Sequence, residues 1–356
     1  MSDLLVSIDA RLAAGESTGD SSYWTGLLHG LSKIAPDARF LLFSNAARPP
    51  GIPESDRFEW RCVPAVNLRW WNLVAFPLAA RRAGSHVLHT QYNLSPMAGR
   101  IGVTTIHDVS FFVGPEWFKP RDLAILTRFI PASVKRAARV LTVSETSKGE
   151  IERFIPASRG KTVAIPEACP IHIDPNSTVP VRPMFGLHGP YLLTVGTRWP
   201  RKNMELAVSA ADVAGYPLVV TGKPGWGDDL MRSNTKATGY VDAQTLSALY
   251  REATLYLAPS HHEGFGLPLL EAFACGCPVM CSDGGAFPET AGDAAVVMHS
   301  RRWKDWTDAI LELAADSSKL NDLRRRGYAR VAQFSWEETA RRTMDVYRQV
   351  SMEKQS

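Results

Sequence analysis

Ser260-His261-His262-Glu263-Gly264-Phe265-Gly266-Leu267-Pro268-Leu269-Leu270-Glu271 follows the short apolar run 255–258 and runs on to Gly276. An apolar run of four bounded by turn residues reads as a buried strand. Pro268 suits the first turn of a helix and Gly276 its stop. The stretch is therefore strand, glycine loop, helix. Two glycines let the loop backbone approach a ligand closely. The free N–H groups of the helix start favour an anion such as a diphosphate. Glu263 on the loop and Glu271 in the helix can then accept hydrogen bonds from hydroxyls, as a ribose diol or a sugar edge offers them.

The same alternation extends in both directions. Runs rich in Val, Ile and Leu at 4–8, 39–43, 87–89, 103–106, 140–143 and 162–165 read as strands of a first half. Runs at 191–195, 217–221, 238–241, 255–258, 278–281 and 294–297 read as those of a second. Amphipathic stretches such as 22–35 and 123–138 lie between them. Strands alternating with helices predict a parallel sheet covered on both faces. The fold class is α/β, two doubly wound Rossmann-like domains facing across a cleft. At 356 residues the chain suits two cores rather than one. The boundaries read as an N-terminal domain over 1–170, a linker over 171–189 within the proline-rich stretch 166–190, a second domain over 190–335, and a C-terminal helix over 336–356 free to cross back to the first domain.

A second segment is Thr194-Val195-Gly196-Thr197-Arg198-Trp199-Pro200-Arg201-Lys202-Asn203, between a strand and a helix starting near Met204, with Asn203 as its expected N-cap. Cations ahead of a helix N-terminus oppose its dipole. They make sense around an anion, with arginine gripping phosphate bidentately and lysine as a point charge. A third is Val103-Thr104-Thr105-Ile106-His107-Asp108-Val109-Ser110. His107 and Asp108 fall where a buried strand ends, which is the ligand side of a doubly wound sheet. From the residues alone, a structural and a functional histidine both stay open there.

Glu263 and Glu271 around Gly-Phe-Gly resemble the E-x7-E motif of retaining glycosyltransferases of the GT-B fold, family four. The similarity runs on through 272–279 and 288–295. The "GT…PRKN" segment resembles the family's donor-phosphate loop, and "TIHDVSF…PEWF" is similar to that of mannosyltransferase-like members. The resemblance implies transfer of a hexosyl group, GDP-mannose favoured, from a nucleotide-diphosphate sugar to a saccharide or lipid-linked saccharide in cell-surface polysaccharide synthesis. It implies Lys202, Arg201 and Arg198 at the diphosphate, Glu271 at the ribose, and Glu263 and His107 at the sugar. Gly264, Phe265, Gly266 and Leu267 line the donor, and Gly239 and Tyr240 lie near the base. His107, Lys202 and Glu263 are the catalytic set. The glycine loop Gly15 to Gly19, with Asp20, and Asp108 face the acceptor. In relatives that first loop often ends in Arg-Tyr, whereas here Asp20-Ser21-Ser22 follows, so acceptor specificity does not carry over.

No Asp-x-Asp occurs, and Asp228 and Asp229 are adjacent rather than alternating. The expectation is no cofactor and no metal, the basic pair serving the diphosphate instead. Cys275, Cys277 and Cys281 lack a paired zinc spacing, which predicts buried, reduced thiols. The net charge is +4, and the excess lies in the N-terminal half, where residues 1–172 hold 20 Lys/Arg against 15 Asp/Glu. That suits an anionic acceptor or membrane surface more than nucleic acid, for which no aromatic-plus-basic platform is present. Trp70 and Trp71 among Arg69, Arg81 and Arg82 read first as a helix with core-facing tryptophans, with a headgroup boundary as the alternative. Neither a leader nor a membrane span is read, so the expected place is the cytoplasm, with the inner membrane face open to it. Two rivals remain on this fold: a nucleotide-sugar 2-epimerase and a non-catalytic sugar-nucleotide-binding protein.

Overall fold

The computed structural model describes residues 4–14, 19–35, 37–226 and 232–355. The chain divides into two compact units. The first holds Met1–Val113, Lys119–Ala168 and Ser335–Ser356; the second holds Gly114–Phe118 and Cys169–Phe334.

The first unit is built on a seven-stranded sheet in the order β3-β2-β1-β4-β5-β6-β7. Its strands are β1 Leu4–Asp9, β2 Ala38–Ser44, β3 Phe58–Cys62, β4 Val87–Gln91, β5 Gly102–Thr105, β6 Arg139–Thr142 and β7 Thr162–Ala164. The second unit's sheet runs β10-β9-β8-β11-β12-β13. It comprises β8 Leu192–Val195, β9 Leu218–Thr221, β10 Thr235–Gly239, β11 Leu255–Ala258, β12 Val279–Ser282 and β13 Ala295–Met298. Every strand pair is parallel. Central strands such as β11 and β12 are buried at every position, as a sheet with helices on both faces requires. In the second unit Leu192, Val220, Leu257 and Met280 pack with Trp306 and Ile310 of the helix Trp303–Ala315. Each such side chain contributes roughly 2 kcal/mol by leaving water.

Strand order fixes where ligands can sit. In each unit the chain winds one way from its first strand, then returns to wind the other way. The reversals fall between β1 and β4 and between β8 and β11. At such a point the loops leaving two neighbouring strands part, and the crevice at their C-terminal ends is open.

Several expectations differ from what is seen. Strand β3 was not anticipated. It is an edge strand reading FEWRC, with no position buried. Strand β10 lies three residues earlier than the run 238–241, and its register shifts between Ala237 and Gly239. The stretch expected as a linker groups with the second unit. There Asp174 N–H donates to Ser247 Oγ at 3.0 Å and Ser177 Oγ donates to Gln244 O at 2.7 Å. The last helix, Trp336–Gln355, groups with the first unit. It lies on the helix Gly19–Ile34 because Gly26 and Gly30 leave room for Trp336. A Cβ at Gly26 would come within 2.0 Å of the indole, and one at Gly30 within 2.1 Å of the Trp336 carbonyl oxygen. Of the five free cysteines Cys275, Cys277 and Cys281 are buried, whereas Cys62 is exposed.

Candidate active site

In the second unit the loops leaving β8 and β11 meet at the switch point and are stitched together. His261 N–H donates to Arg201 O at 2.8 Å, Arg201 Nη1 donates to His262 O at 2.5 Å, and Asn203 Nδ2 donates to Pro259 O at 3.2 Å. Asn203 takes the N-cap position expected, but its side chain makes no cap bond. Its φ of 49° is left-handed and its side chain faces the other loop, leaving the helix Met204–Ala214 without a side-chain cap. Between the loops Lys202 Nζ donates to Glu263 Oε1 at 2.7 Å and Arg201 Nη1 lies 3.0 Å from Glu263 Oε2. The anion that the cations call for is thus, in the first instance, a carboxylate of this chain. One negative charge faces two positive ones, so the cluster stays net cationic. The guanidinium of Arg198 meets no acid among the described residues.

Glu263 is 7% exposed. Burial raises its pKa, but Arg201, Lys202 and hydrogen bonds from Lys202 and Ser260 outweigh this and hold it well below the carboxylate range. The loop rests on Gly284 and Gly285. A Cβ at Gly285 would come within 2.3 Å of Glu263 O, and φ there is +61°. These two glycines support the loop. Gly264, Gly266 and Leu267 are buried at the start of the helix Leu267–Ala274, whose N-terminus no side chain caps. Phe265 turns inward, its ring edge-on to Phe334 at 5.7 Å. Glu271, 8% exposed, accepts from the Tyr250 hydroxyl at 2.9 Å. Burial raises its pKa to about 7, against opposition from that bond and from Lys202. Gly239 ends β10, where its carbonyl accepts from Gly222 N–H at 2.9 Å. Tyr240 is 56% exposed, with Lys223 Nζ 5.6 Å from its ring centre. Trp117, in the short segment grouped with this unit, stacks on His261 at 5.6 Å.

In the first unit His107 follows β5. Its Nδ1 lies 3.1 Å from Glu167 Oε1 and its Nε2 lies 3.6 Å from Asp20 Oδ1. Burial lowers its pKa, but Glu167, Asp20 and Asp108 outweigh that and leave it raised. Tyr23 stands edge-on to the imidazole at 5.0 Å. Tyr92, with a left-handed φ of 58°, brings its hydroxyl within 3.4 Å of Asp20 Oδ1. Asp108 Oδ1 accepts from Ser110 N–H at 2.8 Å. Gly19 opens the helix Gly19–Ile34, and Gly15 lies outside the described residues. Among the described residues no group of three or more His, Cys, Asp or Glu is arranged to hold a metal ion.

Residues 185–330 match the family described as Glycosyl transferases group 1. Over 265 residues the chain is 33% identical to O-antigen chain mannosyltransferase B of Escherichia coli, covering 69% of this chain and 70% of that one. The chain belongs to the group 1 glycosyl transferases.

Its architecture is the GT-B one, two parallel-sheet α/β domains. A sucrose-phosphate synthase of Thermosynechococcus elongatus superposes with a TM-score of 0.75 at 19% identity, covering 98% of this chain and 99% of that one. WaaG, a glycosyltransferase involved in lipopolysaccharide biosynthesis, superposes with a TM-score of 0.72 at 14% identity, covering 97% and 99%. Two residues of this glycosyl transferase escaped the sequence reading. Glu167 is only 3% exposed, and it sits in a proline-rich stretch with nothing local to mark it. Tyr250 lies on the buried face of the helix Ala243–Glu252, where a tyrosine reads as core.

Proposed function

We propose that this enzyme transfers a mannosyl group from GDP-mannose, with retention of configuration and without a metal ion, to a saccharide or lipid-linked saccharide in cell-surface polysaccharide synthesis. The observation that carries the reading is the Arg201–Lys202–Glu263 cluster at the β8–β11 switch point. Two cations on one carboxylate, beside an uncapped helix start, make a net positive seat for a leaving diphosphate. Mannose as the transferred sugar is supported by the activity named for the Escherichia coli relative.

In this reading Lys202 and Arg201 stabilise the charge that develops on the diphosphate as the glycosidic bond breaks. Glu263 aims both cations and accepts from sugar hydroxyls with its remaining lone pairs. Glu271 accepts from the ribose diol. The resemblance that assigns His107 to the sugar implies a hydrogen-bonding role for it rather than a nucleophilic one. The basic pair, with the uncapped helix start, supplies positive charge where a divalent ion would otherwise act. Glycosyl transfer is therefore expected to survive chelation.

The test is a thermal-shift panel with GDP, UDP and dTDP on the wild type and Lys202→Ala, followed by acceptor-dependent release of GDP from GDP-mannose in EDTA. A nucleotide at about 100 times its Kd stabilises by roughly 2.7 kcal/mol. GDP should stabilise the wild type alone, and EDTA should leave the rate unchanged. Stabilisation by UDP or dTDP instead of GDP overturns the donor. Loss of rate in EDTA overturns the metal-free mechanism.

A further inference from the structure

We propose that Glu167 is a positioning residue for His107, holding the imidazole with Nδ1 against a buried carboxylate and Nε2 turned to the sugar. The inference deepens the hydrogen-bonding role of His107 in the proposed function and rests on that reading. Both residues belong to the first unit. Glu167 is 3% exposed, and its Oε1 lies 3.1 Å from His107 Nδ1. A buried carboxylate is costly unless a positive or proton-donating group meets it. Among the described residues no group other than the imidazole is placed to satisfy that oxygen. The backbone leading to Glu167 is held by two elements. Ile165 N–H donates to Thr142 O of β6 at 2.7 Å. From the last helix, Thr339 Oγ1 donates to Pro166 O at 2.7 Å and Arg342 Nη2 to Ala164 O at 2.5 Å. Pro166 itself fixes φ. The carboxylate is a fixed point for the ring rather than a loose counterion.

The other edge of the imidazole is left for a ligand. Nε2 is buried and has no hydrogen-bond partner among the described residues. Asp20 Oδ1 stands 3.6 Å from it, beyond hydrogen-bond distance, on a side chain 38% exposed. The neighbouring rings do not compete for it. Tyr23 stands edge-on, and its hydroxyl is bonded to Thr105 Oγ1 at 3.0 Å, which in turn meets His89 Nε2 at 2.8 Å. Tyr92 lies tilted at 5.7 Å. The charges acting on His107 are those of Glu167, Asp20 and Asp108, all negative. His89 of β4 is kept neutral by burial, which lowers its pKa to about 3. Of the two acids at the ring nitrogens, Glu167 is the nearer and the deeper, whereas water screens Asp20. An acceptor at Nδ1 fixes the tautomer. The Nδ1 proton therefore faces Glu167 in the neutral and the charged ring alike. The surrounding acids favour the charged ring, whose Nε2–H can donate to a sugar oxygen.

Nitrogen-15 NMR of the imidazoles tests the pair without donor or acceptor, with His107 assigned by the signal lost in His107→Asn. In the wild type His107 should titrate above 6.5, and past its midpoint the neutral ring should carry its proton on Nδ1. A neutral ring protonated on Nε2, or a midpoint at or below 6.5, overturns the inference from the wild type alone. Glu167→Gln should lower the midpoint by about one unit or more, with Glu167→Asp falling between. Transfer kinetics supply the second arm. A histidine with a raised pKa stays charged up to that pKa, so kcat/KM should fall as pH rises through it. In Glu167→Gln this limb should move down with the NMR midpoint, and the low-pH plateau should drop about tenfold, as for a lost hydrogen bond to a charged group. Glu167→Asp should recover part of both. A midpoint that moves while the limb stays in place makes the pair structural and sinks the positioning role. Failure of GDP to stabilise the wild type sinks the proposed function, and the nitrogen signals, read without nucleotide, still decide this inference.

Discussion

Glu263 and Glu271 lie eight residues apart on one loop and helix, and both are less than a tenth exposed. Their electrostatics are opposite. Burial raises the pKa of each, but Glu263 meets two cations within 3.0 Å, and Glu271 meets a phenol. The first is held far below the carboxylate range and the second is pushed up to about 7. Partners, rather than depth, decide charge here. Glu263 is a permanent anion that fixes Arg201 and Lys202. Glu271 sits near half-titration at neutral pH, where an arriving pair of hydroxyls can draw it into the charged form.

The largest expected effect breaks the comparison at its charged end. Glu263→Gln keeps shape but frees Arg201 and Lys202 from their anchor, so kcat should fall about 10²-fold or more, as for loss of an aimed electrostatic group. Affinity for GDP should hold or rise, because a competing carboxylate is gone. Steady-state kinetics and a GDP titration check both. A variant with normal kcat and weakened GDP binding would show that Glu263 serves the nucleotide instead.

Stability against pH separates the two residues next. A carboxylate with a depressed folded pKa contributes stability above its ordinary 4.5 that is lost as pH falls, so Glu263 adds to acid unfolding. One with a raised folded pKa contributes stability below 4.5 that is lost as pH climbs to about 7, so Glu271 acts with the opposite slope. The Glu271 contribution is on the order of 3 kcal/mol across that window. His107, also raised, loses its contribution above its ordinary 6.5 and so adds to the fall at higher pH. Thermal midpoints of wild type and Glu271→Gln between pH 4.5 and 7.5 should diverge, the mutant losing less on the way up. Parallel curves would place an ionised Glu271 in the folded protein throughout.

The helical end predicts a smaller kinetic effect. If Glu271 holds the ribose in ground and transition states alike, Glu271→Gln raises the donor KM roughly tenfold and spares kcat. A fall in kcat equal to that of Glu263→Gln would erase the distinction between the two.

This contrast was only half legible in the sequence. The strand–glycine–helix pattern announces 255–276 because period, turn residues and charge coincide locally. Most strands were readable for the same reason, being short and apolar throughout. Strand β3 was not, since an edge strand with Glu59 paired to Arg61 at 2.7 Å has no apolar signature. The pairing of Lys202 with Glu263 spans 61 positions and follows from strand order alone. The same holds for Glu167 against His107 and for Tyr250 against Glu271. The position of Asn203 at the helix start was legible but the use of its side chain was not, because the Pro259 carbonyl that takes its amide lies on the neighbouring loop.

The smallest effect sharpens the comparison at the phenol. Tyr250→Phe removes the one hydrogen bond that favours the charged form of Glu271, leaving burial with less opposition. The pKa of Glu271 should rise further, and the pH at which donor KM improves should move up with it. Stability should fall by about 1–2 kcal/mol, the cost of a buried oxygen left without its donor. Donor KM against pH in wild type and variant reads the shift directly. An unchanged midpoint would mean that the donor's own hydroxyls, and not Tyr250, set the charge on Glu271 once the site is filled. The phenol would then hold the carboxylate in place without tuning it.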